Sequence, residues 1–98
     1  MIKVLVTKDK IEISGHSGYD LVGKDIVCSA VSSIVITSIN GIISIKEKAI
    51  HYEYQNDGII ISDIKKDKVT LKLIENMLEL LRELAEKYPK NINVKEIK

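Results

Sequence analysis

One cysteine and one proline are all that the 98 residues contain of either, and neither sign of charge is in excess: 15 lysines and arginines face 14 aspartates and glutamates. With Cys28 alone there is no internal disulfide, and a reducing, cytoplasmic setting is the natural expectation. The near-zero charge balance excludes a protein that holds nucleic acid by bulk phosphate neutralisation, so no direct nucleic-acid binding is expected. The lysines at 65, 66 and 68 make only a small basic turn. Repeats of recognised period and low-complexity linkers are missing as well. His16, His51 and Cys28 are scattered without ligand spacing, so the sequence implies neither a metal site nor another cofactor. The length and a hydrophobic share of 45% suffice for one core, and one domain over residues 1–98 is expected.

Charge is also absent from the twenty positions between Ile26 and Ile45. That run is long enough to span a bilayer. Ser29, Ser32, Ser33, Thr37, Ser38, Asn40 and Ser44 interrupt it with polar groups, however, and Gly41 breaks it further, so a buried helix fits better than a membrane span. Met1 to Thr7 reads as a strand rather than as a charged segment leading an apolar one, so no secretory signal is expected.

What is present is periodicity. Ile2, Val4 and Val6 alternate with Lys3, Leu5 and Thr7 in a first strand; Ile11, Ile13 and Gly15 alternate with Glu12, Ser14 and His16 in a second. Residues 17–24 hold Gly18 and Gly23 with no period and read as an exposed loop. Asp25 suits an N-cap, and Val27, Val31, Ile34, Val35, Ile39 and Ile42 then recur at helical spacing to about Ile43. Lacking charge on its other side, this helix is expected to be covered nearly all round, by sheet on one side and by neighbours or a second subunit on the other. Ile50, Tyr52 and Tyr54, the turn Gln55 to Gly58 and the run Ile59 to Ile64 form a second hairpin. From Asp67 to Tyr88, Leu73, Ile74, Met77, Leu80, Leu81 and Leu84 give an amphipathic helix that Pro89 ends, and Ile92, Val94 and Ile97 form a last strand. The order ββαββαβ implies an α+β domain, a mostly antiparallel sheet with both helices packed on it.

Chemistry gathers around the glycine-bearing loop, with His16 at one end and Cys28 at the other. A thiol acts as a nucleophile in its thiolate form, which a helix N-terminus and a neighbouring imidazolium both favour. Cys28 stands three residues after the expected cap, where free first-turn amides point at negative charge and can also bind a developing oxyanion. His16 is placed to serve as general base and acid, Asp20 to orient it, and Asp25 to cap the helix. A lone cysteine on an apolar helix ordinarily packs as a small hydrophobe, and a lone histidine ordinarily lies at the surface. Their joint position about one loop is what points to catalysis. Two other motifs overlap the loop. Gly18 to Asp25 has the spacing of a phosphate-binding loop, but Asp25 stands where a magnesium-binding Ser or Thr belongs. Gly15-His16-Ser17-Gly18 has the G-x-x-G of a KH loop but follows a strand and lacks flanking basic residues.

The run Gly15-His16-Ser17-Gly18-Tyr19, followed by Gly23-Lys24-Asp25-Ile26-Val27-Cys28-Ser29-Ala30-Val31-Ser32, resembles the signature of the bacterial ribosomal-processing cysteine protease family, Prp. Length and element order are similar too; Ser29 departs from the alanine common there. The resemblance implies a cytoplasmic cysteine endopeptidase that removes an N-terminal extension from a large-subunit ribosomal protein, the one numbered twenty-seven, cutting after an aromatic residue in an apolar segment. It implies Cys28 as nucleophile, His16 as its partner, and a substrate loop with Gly18, Tyr19, Gly23 and Lys24 that closes over the peptide. It also implies a homodimer, with which the uncharged first helix and an apolar flank of Leu71, Leu78 and Ala85 on the second are compatible. The alternatives are a noncatalytic ribosome-associated or RNA-binding accessory protein, and an interaction module in which Cys28 is merely buried.

Overall fold

A computed structural model describes residues 1–15 and 24–97, with the side chains of Lys24 and Asp25 left aside. The elements follow the expected order: β1 (Ile2–Val6), β2 (Lys10–Ser14), α1 (Lys24–Ile45), β3 (His51–Gln55), β4 (Gly58–Ser62), α2 (Lys68–Lys87) and β5 (Ile92–Glu96). They build a five-stranded sheet in the order β3-β4-β2-β1-β5. Neighbouring strands run antiparallel except β1 and β5, which are parallel and pair Ile2 with Ile92 and Val4 with Val94.

Alternation assigns the two sheet faces. Ile2, Val4, Ile11, Ile13, Ile59, Ile61 and Ile92 are buried on one, while Lys3, Asn93 and Lys95 are exposed on the other. Both helices lie on the apolar face and touch each other, giving two layers around one core. From α1 come Val27, Val31, Val35, Ile39 and Ile42, a single stripe spaced by three and four residues. The uncharged stretch 26–45 has the length and mean hydropathy, 2.0, of a membrane span. In the fold it is the helix laid across the sheet.

The outer side of α1 receives no cover from the chain itself: Ser29, Ser33, Thr37, Asn40 and Ser44 are exposed, which leaves the cover expected on that side to a second subunit. Hydroxyls make this side compatible with water without charge, and Ser38 and Ser44 also donate to the carbonyls of Ile34 and Gly41 at 2.7 and 2.8 Å. On α2 the buried stripe is Thr70, Ile74, Met77, Leu78 and Leu81. Leu78, expected on an outer flank, is therefore in the core, and Leu80, expected inside, is 40% exposed. Each residue turns a helix by about 100°, so a stripe through 74, 78 and 81 cannot also bury 80.

The ends of α2 match the sequence reading closely. Asp67 caps it, accepting from the Thr70 amide at 2.9 Å and the Thr70 hydroxyl at 3.0 Å, and the Tyr88 amide closes it on the Leu84 carbonyl at 2.9 Å just before Pro89. Arg82 then ties the helix to the sheet, donating to Glu75 on its own helix at 3.0 Å and to Glu96 on β5.

Candidate active site

Cys28 is the fifth residue of α1, because the helix begins at Lys24, one residue before the expected start. Asp25 thus lies inside the helix rather than at its cap, and residues 16–23, just before it, fall outside the described residues. Cys28 accordingly opens the second turn. Helical side chains lean toward the N-terminus, so the thiol still projects back over the first turn, whose amides have no acceptor within the helix. Cys28 is half-buried and packs against the edge of the core. Ser32 and Ile36 follow at intervals of four and continue its row along the helix.

The other approach to the site is β2, which ends at Ser14. Gly15 then takes φ +92°, a conformation that L side chains rarely adopt, and its amide donates to the Asp57 carbonyl at 3.0 Å. A Cβ on Gly15 would collide with the Met1 carbonyl oxygen. One on Gly58 would strike the Ile13 carbonyl oxygen and come within 2.8 Å of the Ser14 Cα. Glycine at both positions lets the end of β2 be clamped between the start of β1 and the β3–β4 turn.

Of the residues singled out in the sequence, His16, Gly18, Tyr19, Asp20 and Gly23 lie outside the described residues, as do the side chains of Lys24 and Asp25. What the described residues do bring together is Cys28 and Gly15, on one cleft of about 260 Å³. Its helical wall is Cys28, Val31, Ser32, Val35 and Ile36. Its floor is the cross-strand row in which Ile13 pairs with Ile59 and Ile59 with Tyr54, extended by Ile2. Asp57 supplies an exposed carboxylate at the rim. His51 belongs elsewhere, exposed on edge strand β3 beside Glu47, Asp63 and Lys65. Among the described residues, no three His, Cys, Asp or Glu side chains cluster so as to hold a metal ion.

The cleft residues other than Cys28 and Gly15 carry no local signature, since five elements contribute to the walls. The usable signal was alternation: Tyr54 shares a sheet face with Ile59 and Ile13, and Ile36 shares a helix row with Cys28.

The chain is similar to proteins of known activity. Residues 1–93 match the family model described as Cysteine protease Prp. Over 86 residues, 84% of this chain and 80% of the relative, the sequence is 29% identical to the ribosomal processing cysteine protease Prp of Staphylococcus aureus. The fold resembles the crystal structure of the essential ribosomal processing protease Prp from S. aureus in complex with a covalently linked product peptide. The TM-score is 0.86 at 26% identity, over 99% of this chain and 100% of the other. It also resembles the complex with a substrate peptide (TM-score 0.87, 23% identity, 99% and 100% covered). SMU.848 from Streptococcus mutans shares the fold as well (TM-score 0.74, 23% identity, 98% and 91% covered).

Proposed function

This chain belongs to the cysteine protease Prp family, and from that premise we propose that it is an endopeptidase of ribosomal protein processing in which Cys28 is the nucleophile and His16 its base. The observation that carries the reading is that Cys28 and Gly15 line one cleft in a chain matched by a protease family nearly end to end. That a relative holds its product peptide by a covalent link supports an acyl-enzyme route.

In this route His16 takes the thiol proton and the sulfur adds to the scissile carbonyl. Amides of the first turn of α1 donate to the oxyanion, and His16 returns the proton to the leaving amine as the C–N bond breaks. Water, deprotonated by His16, then attacks the thioester and frees both the carboxylate product and the thiol. Asp20 orients the imidazole, Asp25 adds its carboxylate to the first turn, and Gly18, Tyr19, Gly23 and Lys24 form a loop that closes on the peptide. The substrate is the extended precursor of the large-subunit ribosomal protein numbered twenty-seven. A cytoplasmic location and a homodimer belong to the same reading.

Incubating the protein with that precursor and reading intact masses tests it. One cut is expected, absent from Cys28→Ala, whose melting temperature should stay close to that of the parent because only a half-buried sulfur is removed. His16→Ala should lose the cut and also alkylate more slowly at Cys28 at neutral pH. Cleavage surviving in Cys28→Ala refutes the mechanism. No cut together with salt-dependent binding to ribosomal RNA points to the accessory protein instead.

A further inference from the structure

Of the described residues that line the cleft beside the thiol, Asp57 alone carries a full charge at neutral pH. The main chain fixes its place. Its carbonyl accepts from the Gly15 amide at 3.0 Å, and Gly58, next in the chain, lies so close to the Ile13 carbonyl that no Cβ fits between them. The carboxylate takes no part in this clamp. An aspartate in a turn ordinarily brings its side chain back to accept from a nearby main-chain amide. Here, among the described residues, neither an amide nor a lysine or arginine pairs with it, and the side chain stands exposed.

A second group on the same rim has a matching preference. Tyr54, on β3 just before the turn that holds Asp57, also lines the cleft and is 65% exposed. Its ring is nonetheless held, edge-to-face with Tyr52 at 6.1 Å between centroids and 88° between planes. An aromatic face attracts a cation through its quadrupole and a carboxylate does so through its charge; both repel an anion. The deep surface of the cleft offers an ion nothing. Ile2, Ile13, Val31, Val35 and Ile59 are each less than a tenth exposed, so a charge sent there loses its water and gains no partner. Selection by charge is therefore confined to the mouth, where Tyr54 and Asp57 stand.

We infer that Asp57 and Tyr54 are specificity-determining residues that together bind a cationic side chain, lysine or arginine, of the peptide lying in the cleft. The carboxylate supplies the counter-charge, the ring covers the alkyl stem or stacks on the guanidinium, and Tyr52 acts as a positioning residue for Tyr54. The inference rests on Cys28 being the nucleophile, and its test is arranged so that the two stand or fall separately.

Cys28 is modified with the trimethylammonioethyl, sulfonatoethyl and uncharged methyl methanethiosulfonates, rates are read by intact mass, and each is divided by the rate of the same reagent with β-mercaptoethanol. Every other charge near the thiol is common to parent and variant, so the comparison between them isolates Asp57. The preference for the cationic over the anionic reagent is expected to fall roughly fivefold in Asp57→Asn, with the uncharged reagent unaffected, and to reverse in Asp57→Lys. Asp57→Glu should keep it, Tyr54→Leu should lower it severalfold, Tyr52→Ala less, and added salt should shrink it in the parent more than in Asp57→Asn. Peptides spanning the cut bond, with lysine or glutamate placed at each position in turn, carry the test to cleavage. At one position the parent should cut the lysine peptide severalfold faster in kcat/KM, chiefly through KM, and Asp57→Asn should lose that difference. Equal charge preference in the parent and Asp57→Asn, or no position that favours lysine, overturns the cation site even if Cys28 cuts the precursor. Cleavage by Cys28→Ala overturns the nucleophile, and with it the role of Asp57 in cleavage, whatever the charged reagents do.

Discussion

Asp67 joins three interactions in one carboxylate: the amide and hydroxyl of Thr70 and, at 3.2 Å, the ammonium of Lys46 at the far end of α1. The Thr70 amide is the main reason that its carboxyl is held below the ordinary value of 3.8; desolvation opposes this, and the Thr70 hydroxyl and Lys46 add to it. Because the folded state lowers the value, the carboxylate stabilises the fold fully above the unfolded value and ceases to do so as pH falls through the folded one. Asp67→Ala should therefore melt several degrees below the parent at neutral pH, with the gap narrowing once the pH drops below the ordinary carboxylate range. Thermal melts across that range, in parallel for both proteins, check this. The residue was readable in advance as the start of the second helix, since an aspartate before a helical run is the usual cap. Asp25 looked equally good by the same rule, yet α1 begins before it, so a capping side chain alone does not fix a boundary.

At the scale of the element, α2 shows where periodicity is ambiguous. Ile74, Met77, Leu78, Leu80 and Leu81 offer two apolar stripes offset by a fraction of a turn, and the sequence holds nothing that chooses between them. Contact with α1 and the sheet chooses, burying Leu78 and leaving Leu80 part-exposed. Leu78→Ala should accordingly cost about 2–5 kcal/mol, as buried leucines do. Leu80→Ala should cost much less, near the roughly 0.5 kcal/mol typical of surface changes. Urea unfolding of the two variants separates the stripes; equal losses would contradict the burial described. α1 was easier, because its valines and isoleucines at 27, 31, 35, 39 and 42 form one stripe with no competitor.

For the whole molecule, stability is graded across the sheet. β3 is an edge strand with every residue exposed, whereas β2 and β1 lie inside the sheet beneath the helices. Hydrogen exchange should release the amides of β3 first and those of β1 and β2 last, β4 falling between. Mass spectrometry of exchanged peptides reads this order directly. Element order, the helical layer and the sheet were legible in the sequence because alternation and helical spacing are local. Cys28 as a candidate was legible for the same reason. The cleft beside it was not, since its floor joins Ile2, Ile13, Ile59 and Tyr54 from four different strands, and only folding makes them neighbours.

The parallel pairing of β1 with β5 has a consequence in time. The Ile2 amide donates to the Asn91 carbonyl at 2.8 Å and the Ile97 amide to the Val6 carbonyl at 2.8 Å, so β1 acquires its outer neighbour from a strand synthesised after the other four. Closing so long a loop is slow and comes late in folding. Ile2 floors the cleft beside the thiol, so a nascent chain that has not yet made β5 holds Cys28 over an unfinished floor. The site matures only when synthesis has passed the segment that completes the sheet.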